Sequence, residues 1–264
     1  MSLDPKRRAS IKESLKELSA RENICIVLAV ESGSRAWGFP SPDSDYDVRF
    51  IYSRNRDDYL SVYEQRDVIE QPLEGDMDIN GWDLKKAIAL TMKQNAGLLE
   101  WLQSPYIYCE EIGFKEDLLS FSDSARNRIS FVNHYAAMAK RFYEGETRGQ
   151  IEMKLKKYCY VLRPALALRW FRIHKEQSRV PMTMSALLRE TETPARISTV
   201  IQELIEKKAK IDESGLSPRY PVLDEFIEFE LEHFEESLIE SGTSLDDPRE
   251  QANLLFRRWI ADQL

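Results

Sequence analysis

The sequence predicts an α+β protein, with a small mixed-sheet domain over residues 1–110 and an α-helical domain over residues 111–264. Three observations carry this. Short apolar runs of strand length fall in the first hundred residues, notably Ile24–Val30 and Asp45–Tyr52. Past about Pro105 the apolar residues recur at helical spacing almost without a break. The 264 residues, 42% of them hydrophobic, suffice for two ordinary cores.

Taken in order, Asp4-Pro5 is a helix start, and Ile11, Leu15 and Leu18 follow at helical spacing. Ile24–Val30, rich in Ile, Val and Ala and bounded by Arg21-Glu22-Asn23 and Gly33, reads as a buried strand. A short helix begins after Gly33, and Gly38-Phe39-Pro40-Ser41-Pro42 breaks it before Asp45–Tyr52 resumes as a second strand. Val68–Gln71 and Asp76–Trp82 are two further strands. Asp83 caps a helix through Lys93, with Leu84, Ile88 and Thr91-Met92 at the right spacing. Arg128–Tyr143, Ile151–Lys175, Ile197–Lys210, Val222–Glu240 and Pro248–Asp262 complete the helical part. In Val222–Glu240, Leu223, Phe226, Ile227, Phe229, Leu231, Phe234 and Leu238 supply the apolar positions, and the acids between them are assigned to a solvated face.

Composition excludes several classes. No segment approaches the ~18 apolar residues of a membrane span, and charged Met1–Ile11 is unlike a secretion signal, so a soluble, cytoplasmic protein without a membrane partner is expected. Cys25, Cys109 and Cys159 are odd in number, widely spaced and not arranged as CxxC, which argues for buried thiols over disulfides or zinc. His134, His174 and His233 are too scattered to suggest a histidine metal centre or triad, which leaves catalysis to carboxylates. The formal net charge of −8 weighs against indiscriminate nucleic-acid binding. Yet Lys140–Arg179 holds eleven Lys or Arg against four Glu, a local +7, while residues 221–250 hold eleven acids against one Arg. A basic middle suits one localised polyanion site, such as a triphosphate or an RNA end, and equally the outer faces of amphipathic helices.

The segment richest in chemistry is Ser32-Gly33-Ser34-Arg35-Ala36-Trp37-Gly38, followed by Ser44-Asp45-Tyr46-Asp47-Val48-Arg49. A strand places residues i and i+2 on one face, so Asp45 and Asp47 point together, away from Tyr46 and Val48. Paired carboxylates repel unless a cation shares them, and Mg²⁺ takes one or two carboxylates plus phosphate oxygens. Alone, an Asp-x-Asp is weak. Gly33-Ser34 adds a strand-to-helix turn whose backbone N–H groups suit phosphate oxygens and whose glycine permits close approach. Ten residues separate Ser34 from Asp45, a connection short enough to make the two strands neighbours. Asp78, on a later strand, supplies a third acid. In two-metal phosphoryl chemistry one ion activates the attacking hydroxyl and the other, ~4 Å away, holds the triphosphate. Asp45 and Asp47 would hold both ions, and Asp78 would hold the first or take the hydroxyl's proton. These residues predict nucleotidyl transfer.

They also resemble the nucleotidyltransferase superfamily typified by DNA polymerase beta. The wider context, Asp78-Ile79-Asn80-Gly81-Trp82-Asp83-Leu84-Lys85-Lys86, Asn95, Glu100-Trp101-Leu102 and Ser104-Pro105, looks like that of the predicted nucleotidyltransferases found in bacterial RNA-repair neighbourhoods beside RNA ligases. The resemblance covers residues 24–109. It implies that Gly33 and Ser34 bind nucleotide phosphates and that Asp45, Asp47 and Asp78 bind Mg²⁺ or Mn²⁺, two ions, and carry catalysis. An NTP, expected to be ATP, would be the donor. Ser32 departs from the pattern, which often has a hydrophobic residue before the glycine.

Arg35 and Lys86 are added as nucleotide-binding candidates, and Lys154, Lys157 and Arg163 as candidates for the acceptor side; surface pairing or solvation is the plain alternative for each. Asn95 is read as a helix cap and Glu100-Trp101 as packing between helices, while Trp37 and Trp82 belong to the core or stack a base. Asp43 and Asp76 rival the acids two residues after them and are read as caps beside turns. A calcium loop counted from Asp43 fails, with Val48 where glycine is needed and Arg54 where glutamate is needed.

Three functions remain open. The first is transfer of a nucleoside monophosphate to a hydroxyl acceptor on RNA, a protein or a small molecule, with release of pyrophosphate. The second is a nucleotide or RNA-end binding module without turnover, and the third an antitoxin-like enzyme that nucleotidylates a protein partner. Three carboxylates favour turnover, since a pure binder gains little from like charges held together.

Overall fold

Capping at Asp4 starts the first helix as the sequence expects. Asp4 accepts from the Lys6 N–H at 2.8 Å, Pro5 takes the first helical position, and α1 runs Pro5–Glu22 with Ile11, Leu15 and Leu18 buried. The computed structural model describes residues 3–72, 75–124, 127–146, 152–212, 215–238 and 247–260. After α1 come β1 (Cys25–Glu31), the one-turn α2 (Gly33–Trp37), β2 (Tyr46–Ser53), α3 (Arg56–Tyr59), β3 (Val68–Glu70), β4 (Met77–Asp83), α4 (Leu84–Met92), α5 (Ala96–Leu102), β5 (Ile107–Glu110) and α6 (Phe114–Ser124). The chain continues through α7 (Arg128–Glu146), β6 (Glu152–Lys154), α8 (Leu155–Ile173), α9 (Met184–Glu190), α10 (Ala195–Lys208), β7 (Leu216–Pro218), α11 (Pro221–Glu232), a 3-10 turn at Phe234–Ser237 and α12 (Pro248–Trp259).

The larger sheet has the order β3-β4-β2-β1-β5; β2 and β4 run parallel and the other pairs antiparallel, so the fold is α+β with a mixed sheet. Alternation along β2 sorts its side chains. Tyr46, Val48 and Phe50 enter a core with Ile11, Leu15 and Leu18 of α1 and Ile79 of β4, while Asp47 and Arg49 take the opposite face. Each large apolar side chain so buried contributes about 1.5–3 kcal/mol. Phe50 lies over its register partner Gly81, where a Cβ would stand 2.2 Å from the ring, so glycine on β4 is a packing requirement.

By packing, the chain forms two compact units, one of Met1–Ala36, Asp45–Arg126 and Ser244–Leu264, the other of Trp37–Ser44 and Asn127–Thr243. This partition runs differently from the change of pattern along the chain. Helices α6 and α12 belong with the sheet, since α12 packs on α4 and α6 and Trp259 Nε1 donates to Asp117 Oδ2 at 2.9 Å.

In the second unit α8 packs against α7, α9 and α11, and β6 pairs with β7. The expectation that the acids of Val222–Glu240 are solvated fails at Glu230. Its carboxylate is buried and accepts from Arg169 at 3.1 Å and Arg172 at 2.9 Å, so part of the basic stretch is neutralised inside the fold. The expected helix there is α11 followed by the 3-10 turn, and the one expected from Ile151 is β6 followed by α8. Residues 151, 239, 240, 261 and 262 of the expected helices lie outside the described residues. Strand β5 and helices α6 and α9, which no sequence pattern marked, are short segments organised by their neighbours. Cys159 is buried, while Cys25 and Cys109 are only half-buried. Among the described residues no helix is long and apolar enough to cross a membrane.

Candidate active site

The parallel pairing of β2 and β4 sets Asp47 directly opposite Asp78. Arg49, two residues after Asp47 and on the same face, spans them: Nη2 donates to Asp47 Oδ1 at 2.9 Å and to Asp78 Oδ2 at 2.7 Å, and Nη1 donates to the Val48 and Asp78 carbonyls at 3.1 and 2.8 Å. One guanidinium thus balances two carboxylates that would otherwise repel. The Asp78 side chain is 43% exposed and that of Asp47 27%, so solvent and ligands reach both.

Gly33 stands against this pair. Its φ of +59° favours glycine, and a Cβ at this position would lie 1.8 Å from Asp47 Oδ2. The Ser32 N–H donates to the Asp47 carbonyl at 2.8 Å, which ties the turn to β2 at the acid itself. Because α2 is a single turn, its dipole is small; the close approach of the Gly33 backbone is the asset here. Arg35 is held at the start of β2, its Nε donating to the Asp45 carbonyl at 3.1 Å and its guanidinium 3.9 Å over the Tyr46 ring.

Beneath the pair lies Glu31, fully buried at the end of β1. Its carboxylate accepts from the Asp47 N–H at 3.1 Å and from the Tyr108 hydroxyl at 2.5 Å. Burial pushes its pKa up to about 7, with the Asp47 charge acting the same way and the two hydrogen bonds and the Arg35 charge opposing. Burial and the neighbouring Glu31 carboxylate likewise push the Tyr108 hydroxyl up. Sequence reasoning missed both Glu31 and the role of Arg49. The two-residue period that aligns Asp45 with Asp47 also reaches Arg49, so that signal was present. Glu31 carries none, since an acid closing an apolar run reads as the end of a strand.

The structure brings Asp47 and Asp78 together and leaves Asp45 as an exposed residue just before β2. Among the described residues no three His, Cys, Asp or Glu side chains are gathered so as to share an ion. Two hard oxygen ligands nevertheless fit Mg²⁺, which completes its shell with water and phosphate oxygens. An ion held there would compete with Arg49 for both carboxylates.

Lys86 does not join them. Its Nζ lies 3.1 Å from both Asp67 carboxylate oxygens, past the far end of β4, about 17 Å along the strand from Asp78 at ~3.3 Å per residue. Arg163, expected on the acceptor side, is instead a core residue of the second unit: it is 2% exposed, donates from Nε to the Met182 carbonyl at 2.9 Å and lies 4.6 Å over Trp37. Lys154 is exposed at the start of α8, and Lys157 is half-buried on its first turn. Asn95 caps α5 by accepting from the Leu98 N–H at 3.0 Å, Glu100 is buried, and Trp82 stacks on Trp101 at 3.9 Å. Trp37 packs on Phe39 and Tyr160. Of the rival acids, Asp76 pairs with Arg7 at 2.9 Å and Asp43 is exposed before β2.

Comparison with known proteins accords with this geometry. YcgL of Bacillus subtilis (strain 168), an uncharacterized protein, is 41% identical over 252 residues, 96% of each chain. Residues 8–258 match a family described as the RNA repair pathway DNA polymerase beta family, so the match extends well past the sheet into the helical residues. The chain therefore belongs to the RNA repair pathway DNA polymerase beta family.

Proposed function

We propose that the protein is a metal-dependent nucleotidyltransferase that moves a nucleoside monophosphate from an NTP, ATP in the first instance, to a hydroxyl on an RNA end. The observation that carries this reading is the meeting of Asp47 and Asp78 on adjacent parallel strands, with the Gly33 backbone against Asp47. Asp47 and Asp78, with Asp45 at the start of the strand, would hold Mg²⁺ or Mn²⁺, which when bound supplies charge neutralisation and activation of the hydroxyl. The backbone at Gly33 and Ser34 receives the phosphates, and Arg35 adds a cation at the same turn. In the transfer the acceptor oxygen bonds to the α-phosphorus, the bond to pyrophosphate breaks, and the hydroxyl's proton passes to Asp78. Glu31 fixes the backbone of Asp47 from below. Family membership supports nucleotidyltransferase-like chemistry.

The Arg49 bridge favours a second reading, a nucleotide or RNA-end binding module in which Arg49 keeps the place of the metal. Radiolabelled NTP incubated with Mg²⁺ or Mn²⁺ and an RNA pool separates the two. Label transferred to RNA by the native protein and lost in Asp47→Ala supports the enzyme. Binding of nucleotide without transfer supports the module, and label on a protein redirects the acceptor assignment.

A further inference from the structure

The loop Trp37–Ser44 joins the Gly33-Ser34-Arg35 turn to Asp45 and Asp47, yet it packs with the second unit. Lys208, the last residue of α10, is 1% exposed, and its Nζ donates to the Phe39 carbonyl and to Ser41 Oγ, both at 2.9 Å. An ammonium this deeply buried is stable only where acceptors replace its water, and these two lie on the loop. The loop is also closed on itself: the Ser41 N–H donates to Ser44 Oγ at 3.0 Å and the Ser44 N–H to the Ser41 carbonyl at 3.2 Å. Phe39 is fully buried, Trp37 lies under the Arg163 guanidinium, and both rings pack on Tyr160.

In sequence this pinned loop is flanked by candidate-site residues, Arg35 and Ala36 before it and Asp45 after it. Ala36 donates to the Ser32 carbonyl at 3.4 Å and Tyr46 to that of Asp76 at 2.7 Å, so each flank is itself hydrogen-bonded beside the acids. We propose that Lys208 is a positioning residue for the donor site: by anchoring Phe39 and Ser41 it sets the separation between the phosphate-binding turn and the carboxylates of β2. Loss of the anchor lets the turn and the acids drift apart, and an ångström of drift at a reacting centre is costly. This rests on the donor-site reading above, so the test includes a readout that needs no nucleotide.

Hydrogen exchange at the amides of Ser32, Ala36, Tyr46 and Asp47 reports the flanks, and equilibrium binding of ATP with Mn²⁺ reports the site. Lys208→Met removes the ammonium while keeping the stem. Ser41→Ala removes one acceptor at little change in volume and carries the test if the first variant does not fold. Arg128→Met is the control, a buried cation of the same unit that donates to the carbonyls of Phe171, His174, Gln177 and Ser237, none on the loop. Expected is exchange faster by about tenfold at the four flanking amides in Lys208→Met, a smaller rise in Ser41→Ala, ATP binding weakened in the same order, and neither change in Arg128→Met. Unchanged flank exchange in folded Lys208→Met and Ser41→Ala, or an equal rise in Arg128→Met, overturns the proposal. A rise confined to the loop variants in a protein that binds no ATP upholds the anchoring and sinks the donor reading alone.

Discussion

At its N-terminal end the β2–β4 pair sets Asp47, Arg49 and Asp78 together, and at its C-terminal end the same two strands set Arg54 against Asp83. The residue types are alike, but the surroundings are not. Asp83 is 5% exposed, and its two oxygens accept from the Lys85 N–H at 2.8 Å and the Tyr59 hydroxyl at 3.0 Å, with Arg54 Nε 4.0 Å away. Burial pushes its pKa up even against those bonds. Its acceptors are committed to capping α4 and closing the loop after β2. Asp47 and Asp78 are half-open and share one guanidinium, that of Arg49. The lesson is that burial and committed acceptors, not residue type or strand, separate a structural acid from one whose oxygens still reach solvent.

The sharpest way to break this contrast is Asp47→Ala, which should lower label transfer by on the order of 10³-fold with little loss of stability. A variant that still transfers label at the native rate would remove the N-terminal end from the chemistry. Gly33→Ala comes next. Its Cβ must displace the Asp47 carboxylate or the turn, so a loss of about 10²-fold in transfer is expected along with about 1–3 kcal/mol in stability. Native transfer in that variant would mean the turn is not part of the site.

At the opposite end the expectation reverses: Asp83→Ala should cost about 2–4 kcal/mol, read by chemical denaturation, because it uncaps α4 and strands a buried Tyr59 hydroxyl and Arg54. Residual folded protein should keep its transfer rate. Glu31 sharpens the picture through pH. Its pKa rises on folding from an ordinary 4.5 to about 7, so its favourable contribution is complete below about 4.5 and is lost as pH climbs to about 7. Native stability should therefore fall across that window by up to about 3 kcal/mol relative to Glu31→Gln, and parallel curves for the two proteins would refute the assignment. Smallest is Lys86→Ala: losing a surface pair with Asp67 should change stability by about 0–1 kcal/mol and transfer by less than about threefold. A large loss of transfer would restore Lys86 to the donor site.

Much of this was legible along the chain. Asp4, Asp83 and Asn95 announced their helices because a cap needs only residues two or three apart. The alternation that turns Asp47 away from Tyr46 and Val48 followed from strand periodicity, although Asp45 falls just before β2 and off the strand, and the neighbouring of β1 and β2 followed from the short connection between them. What failed did so for a common reason. Arg163 read as an acceptor-side candidate or a solvated charge and Glu230 as a solvated one, yet both are buried, because helical spacing shows which residues share a face and not what the face meets. Lys86 looked close to Asp78 in number, yet an extended strand carries it to the far end of the sheet.

Local physics thus sufficed for the caps, the alternation on β2 and the residue types of the candidate site, since each depends on a few adjacent residues. Only the tertiary structure decided that Asp78 meets Asp47, that Arg49 and Glu31 serve them, and that Lys208 pins a loop some 170 positions earlier. Strand register and burial are set by partners distant in sequence, and no short-range pattern contains them.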